Sequence, residues 1–154
     1  MRYMVAKLLD GYTTCFRQWQ AHDSHCKYLH GYALQFKLYF SASSLDYRGW
    51  VWDFAWLRNE HILIDNIQVS NWFDYMFDHT VLVAQDDPNL DDFAALDEKK
   101  LIQMRVLPAV SCENIAQLVL QKINPLVQDY TKGEVTLTRV DVYEQAKNCA
   151  SVIL

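Results

Sequence analysis

The sequence has no apolar run approaching the roughly 20 residues that cross a bilayer as a helix. Its opening, Met1-Arg2-Tyr3-Met4, lacks the charged-then-apolar layout of a secretion signal, so the chain reads as cytoplasmic with no membrane partner. No Cys-x-x-Cys pair occurs either. Cys15, Cys26, Cys112 and Cys149 are too few and too scattered for a secreted disulfide framework, and reduced thiols are expected, at most one or two of them functional. Basic runs are also missing. With 14 Lys and Arg against 19 Asp and Glu, a net charge of -5 and no basic stripe, nucleic acid is excluded as a direct ligand. A small anionic substrate stays compatible, because a few cations aimed into a cleft outweigh the global balance. Internal repeats and low-complexity linkers are absent, and 154 residues suit one domain spanning residues 1–154.

What the chain has in quantity is hydrophobic matter, at 51% of residues, with 14% aromatic and five tryptophans. That composition excludes disorder and supplies material for a core or a subunit interface. Residues 4–20 are rich in aromatic and β-branched types around Gly11, which predicts an extended segment with a kink or bulge. From Tyr32 to Ser41 the alternation puts Tyr32, Leu34, Phe36, Leu38 and Phe40 on one face and Gln35 and Lys37 on the other, a strand with one dry side. Asp46-Tyr47-Arg48-Gly49 reads as a turn, and Asp53 as the N-cap of a helix running from Phe54 to about Phe73. Residues 85–105 form an acidic insertion, exposed and holding at most a short helix, closed by Pro108. Ser111 starts a second helix with Ile115, Leu118, Val119 and Ile123 as its stripe, kinked or ended by Pro125. After a turn at Lys132-Gly133, Val135 to Tyr143 alternates as a strand and Ala150 to Leu154 supplies a shorter partner. The predicted order is ββααββ.

Chemistry concentrates in Cys26-Lys27-Tyr28-Leu29-His30-Gly31-Tyr32, where a thiol lies four residues ahead of a His-Gly turn that opens the dry-faced strand. His22, His25 and His30 lie close by, three of the chain's five histidines. Further along come Gly49-Trp50-Val51-Trp52-Asp53-Phe54, then Asp78-His79, then Ser111-Cys112-Glu113, and finally Tyr143-Glu144 at a strand end.

Taken in this order, those motifs resemble the family of 6-pyruvoyltetrahydropterin synthase and 6-carboxytetrahydropterin synthase, from about Cys15 to Val152. The resemblance implies an α+β tunnelling fold, in which a four-stranded antiparallel sheet with two helices on one face assembles into an oligomeric barrel. It implies a homo-oligomer, a hexamer built from trimers, with pterin sites between subunits. It implies a lyase acting on 7,8-dihydroneopterin triphosphate or a close relative, in pterin or queuosine (7-deazaguanine) biosynthesis. Cys26 takes the place of the catalytic cysteine, and Asp78 with His79 that of the acid-base pair. Glu144 stands as the carboxylate that grips the pterin ring, with Ser111 and Glu113 in supporting contact.

The metal site departs from the pattern. The family binds Zn2+ through one histidine at the end of the first strand and two in His-Gly-His, whereas here Tyr32 follows His30-Gly31, and the nearest first-strand match is Ala21-His22. Three arrangements stay open: a rearranged site of His22, His25 and His30, an oxygen ligand from Tyr32, or loss of the zinc. The alternative function is a divergent member that binds a pterin or purine-like ligand without the zinc-dependent reaction.

Overall fold

The computed structural model describes residues 1–154. The chain forms β1 (Tyr3–Phe16) and β2 (His30–Ala42), then a 3-10 turn at Phe54–Arg58 and a minimal hairpin, β3 (Leu63–Ile64) with β4 (Ile67–Gln68). There follow α1 (Val69–Phe77), β5 (Thr80–Ala84), α2 (Leu90–Glu98), β6 (Met104–Leu107), α3 (Cys112–Thr131), β7 (Val135–Gln145) and β8 (Asn148–Ile153).

The main sheet is ordered β6-β5-β1-β2-β7-β8. Its four antiparallel strands β1, β2, β7 and β8 are the two terminal hairpins that alternation predicts. The sheet nevertheless has six strands rather than four, because β5 pairs parallel with β1 and β6 pairs parallel with β5. The first of them escapes a period-two reading for a physical reason. Every residue of β5 is buried, so it shows no polar alternation, as expected of a strand covered on both faces. The acidic segment at 85–105 is accordingly no bare insertion: it contributes α2 and the beginning of β6.

The long helix expected from Phe54 is replaced by three shorter pieces. Asp53 does cap a helical turn, its carboxylate accepting from the Ala55 amide at 2.9 Å, but that turn is 3-10 and ends at Arg58. Asp65 and Asn66 then adopt left-handed conformations, with φ of 51° and 67°, the primed turn that closes a two-residue hairpin. The isoleucines that mimic a helical period therefore flank a turn, and the helix proper begins only at Val69.

One dry face carries the core. Phe36 in β2 meets Tyr12 of β1 at 5.5 Å between ring centroids, and Phe73 and Phe77 of α1 at 5.1 and 4.8 Å. From α3, Ile115, Ala116, Val119, Leu120, Ile123 and Val127 join the same cluster, which also takes Leu137, Val140 and Val142 from β7. Helix α3 passes through Pro125 instead of stopping there, since the buried stripe continues on both sides, and it ends at Lys132 in the left-handed conformation. Gly11, with φ of 89°, sits where the β1–β2 register shifts, the bulge that its sequence position foretells.

On the opposite side of the sheet the Asp141 carboxylate, fully buried, accepts from Arg139 Nε at 2.6 Å, Ser151 Oγ at 2.7 Å and the Tyr39 hydroxyl at 2.9 Å. Burial alone raises that carboxyl's pKa, but the three donors outweigh it and hold it below its ordinary value. No helix is long and apolar enough to cross a membrane.

Candidate functional site

The connection between β1 and β2 presents Cys26. Ser24 caps the 3-10 turn at His25–Lys27, its hydroxyl accepting from the Cys26 amide at 3.1 Å, while the Gln18 amide donates to the Cys26 carbonyl at 2.8 Å. The backbone at the thiol is thus fixed from both sides. Tyr32 enters from β2 and Cys112 from the first turn of α3. Glu144 comes from the end of β7, where the ladder with β8 slips between Tyr143 and Gln145. These side chains line one small cleft of about 190 Å³, together with Glu113 and Cys149.

Residues far apart in sequence therefore converge: Cys26, Glu113 and Glu144 meet there, as the motif order implies. Gln18, Cys112 and Cys149 line the same cleft and escape sequence reasoning. Cys112 could have been suspected from its place inside the Ser111-Cys112-Glu113 motif, whereas nothing local marks Cys149. Burial, then the Glu144 and Glu113 carboxylates and the Cys149 thiol, push the Cys112 thiol up to about 12, so it stays protonated near neutral pH. Burial, then Glu144, Cys26 and Cys112, raise the Tyr32 phenol as well. A protonated phenol and thiol are hydrogen-bond donors in a cleft that also holds two carboxylates.

Ser111 lies next door, in a second cleft of about 320 Å³ that shares Gln18 and Glu113 with the first. Its hydroxyl caps α3, accepting from the Asn114 amide at 3.1 Å. Ser111→Ala is expected to cost about 1 kcal/mol of stability through the lost cap. Urea denaturation checks this value, and a pterin affinity that falls while stability holds would instead make Ser111 a ligand contact.

Asp78 and His79 lie apart from Cys26 within one chain. Asp78 Oδ2 is 3.0 Å from His79 Nδ1, and Asp78 Oδ1 accepts from the Thr13 amide and hydroxyl, each at 3.2 Å. The Thr13 amide and then the imidazole hold the Asp78 carboxyl below the usual carboxylate range. His79 takes a left-handed φ of 54°, and its side chain is 77% exposed, lining a different cleft with Asp97, Gln103 and Arg105. The pair is orientated as a carboxylate-supported imidazole should be, but it faces outward.

Arg48 is not free to meet a phosphate, being paired with Asp46 at 2.9 Å and Asp53 at 3.0 Å. Lys27 Nζ donates to the His22 carbonyl at 3.2 Å.

The histidines do not assemble. His22 and His25 share a surface groove with Lys27 and Tyr28, and no three His, Cys, Asp or Glu side chains converge as a metal-holding group. The first strand ends at Phe16, opposite His30 in the β1–β2 ladder, and the Phe16 and Tyr32 rings stack at 3.8 Å with 3° between their planes.

Residues 8–153 match the family described as 6-pyruvoyl tetrahydropterin synthase. The chain belongs to that family. Among named relatives of this synthase family, the chain is 27% identical over 129 residues to the 6-carboxy-5,6,7,8-tetrahydropterin synthase of Rickettsia typhi, covering 83% of this chain and 84% of the relative. The protein of the same name from Rickettsia conorii is 26% identical over the same shares. Among solved structures, an uncharacterised protein of Wolinella succinogenes superposes with a TM-score of 0.81 at 21% identity, covering 99% of this chain and 98% of that one. The Caenorhabditis elegans 6-pyruvoyl tetrahydropterin synthase superposes with a TM-score of 0.63 at 16% identity, covering 100% and 96%. These likenesses establish the shared fold.

Against the family's zinc pattern, the residues present here do not fit. Phe16 carries no donor atom, Tyr32 carries a protonated phenol, and only His30 offers an imidazole at the strand ends. Within one chain His22, His25 and His30 do not come together as the rearranged set, and Phe16, not His22, stands at the end of β1.

Proposed function

We propose that this chain is a lyase acting on 7,8-dihydroneopterin triphosphate or a close relative, releasing triphosphate and cleaving the side chain in queuosine or pterin biosynthesis. The observation that supports this reading best is the meeting of Cys26 and Glu144 in one cleft from opposite ends of the chain. Glu144 accepts the ring's 2-amino group and adjacent N–H as a bidentate fork, which fixes the pterin's orientation. Cys26 then acts as the base that removes a proton from a side-chain carbon. Asp78 holds the His79 imidazole in one orientation, so that the ring can relay the proton. Ser111 and Glu113 stand where the substrate's edge lies.

At about 190 Å³ the cleft is smaller than the roughly 300–1,000 Å³ usual for ligand sites, which favours its completion by a neighbouring copy. A neighbour also supplies His79, whose exposed face is otherwise unused. Assembly as a homo-oligomer, a hexamer built from trimers, suits the two open edges of the sheet at β6 and β8.

A second reading is favoured by the Phe16–Tyr32 stack: a divergent member that binds a pterin or purine-like ligand without the zinc-dependent reaction. Incubation with 7,8-dihydroneopterin triphosphate separates the two. Triphosphate release under turnover supports the lyase, tight neopterin binding with no release supports the binder, and absence of both overturns the pterin assignment.

A further inference from the structure

We propose that protein fills the metal position of this fold here: the stacked Phe16 and Tyr32 rings replace two ligands, and the Tyr32 hydroxyl meets the ligand's side-chain oxygen in their stead. The part concerning the ligand rests on the pterin reading above, whereas the part concerning the metal rests on the family's zinc pattern and on the geometry of this corner.

Positions 16, 30 and 32 share one face at the ends of β1 and β2. Phe16 is opposite His30 in the ladder, Thr14 is opposite Tyr32, and residues 30 and 32 lie two apart on one strand. A metal held by this corner would lie among those three side chains. Instead the Phe16 ring, fully buried, lies parallel to Tyr32 at 3.8 Å, which is van der Waals contact over the whole ring face. The Tyr32 ring is also only 4.5 Å from that of His30. No space is left between the rings for an ion with bonds of about 2.0–2.1 Å to each nitrogen partner.

His30 is held as a coordinating imidazole would be. Its Nδ1 is 2.8 Å from the Tyr28 carbonyl, the kind of bond that orients a coordinating imidazole and leaves Nε2 for the metal. One position of the three is thus intact and two are substituted by rings that pack against each other.

The same substitution places a new donor in the cleft. Tyr32 lines it with Cys26 and Glu144, and the buried side-chain donors that lack a partner are the indoles of Trp52 and Trp56, not this hydroxyl. A phenolic O–H in reach of the ligand offers a side-chain hydroxyl one neutral hydrogen bond.

Elemental analysis of the purified full-length protein is expected to find zinc far below one equivalent, and chelator treatment to leave neopterin affinity unchanged. Zinc at one equivalent per chain overturns the proposal. The double variant Phe16→His with Tyr32→His rebuilds the corner with His30 and is expected to take up about one zinc per chain, lost again on His30→Ala. A folded double variant that takes none overturns the assignment of the corner. If that variant does not fold, Tyr32→Phe, which keeps the stack, decides. Its neopterin affinity should fall about five-fold, the loss of one hydrogen bond, while affinity for pterin lacking the side chain stays as in the parent. Equal affinities of parent and Tyr32→Phe for neopterin overturn the hydroxyl's role. Failure of the parent to bind either pterin sinks the pterin reading instead, and metal content still decides the metal claim.

Discussion

Cys26→Ala is expected to lower kcat by about 10²–10⁴-fold while neopterin affinity stays within about two-fold, since removing a general base withdraws proton transfer but leaves the ring anchor in place. The split follows from the layout of the cleft. Glu144 and Tyr32 line the cleft from β7 and β2, so truncating a thiol on the β1–β2 connection empties a small volume without moving either strand. Cys26→Ser should behave almost as Ala does, because a hydroxyl is a far weaker acid than a thiol and supplies no comparable base. Turnover undiminished in Cys26→Ala removes the thiol from the mechanism. A mixing experiment extends the test to the neighbouring copy. If His79 serves a cleft on another protomer, Cys26→Ala and His79→Ala chains are each inactive alone, yet hybrids of the two contain sites with both groups intact. Recovered activity on mixing is the expected result, and no recovery by hybrids shown to form would sink the shared site.

The sequence speaks most clearly where one face is dry and the other wet. In β2, Leu34, Phe36, Leu38 and Phe40 are fully buried, so its period declares it, whereas in β7 the alternation slips at Thr138–Arg139, where the register with β2 shifts. Strand β5 is silent for the opposite reason: burial on both sides erases alternation, and its parallel partners lie far away in sequence. The misread helix shows a different limit. Ile62, Ile64 and Ile67 keep a near-helical spacing, but Asp65 and Asn66 tolerate left-handed backbone, and that turn chemistry wins over the period. Within the site, Cys26 and Glu144 are legible because chain order carries them. Phe16 is not, since an apolar residue ending a strand looks like any core residue until its ring is seen lying on Tyr32. Cys149 depends wholly on the β7–β8 register, in which it lies opposite Tyr143, beside Glu144.

Arg17→Ala is expected to destabilise the fold by about 3–5 kcal/mol, the cost of leaving a buried charge without its partner. Arg17 follows β1 and clamps Asp87 after β5, with Nε 2.8 Å from Oδ2 and Nη2 2.6 Å from Oδ1; the Asp87 side chain is only 2% exposed. The Asn89 amide donates to Asp87 as well, at 2.8 Å, but it brings no opposite charge. Urea denaturation at fixed protein concentration measures the loss, and Arg17→Ala combined with Asp87→Asn should be less destabilised than Arg17→Ala alone, because the stranded charge is gone. The pH dependence carries the sign. Hydrogen bonding to Arg17 holds the Asp87 carboxyl below its unfolded value of about 3.9, so the pair's contribution is present above that pH and fades as acid drives the pH through the lower folded value. In Arg17→Ala, burial is left to push the carboxyl up, and protonation then favours the folded state. The gap in stability between parent and variant should therefore narrow below about pH 4. A gap that stays constant with pH means that the cost of the substitution is lost packing, including the guanidinium lying 6.0 Å from the Phe93 ring, and not the orphaned carboxylate.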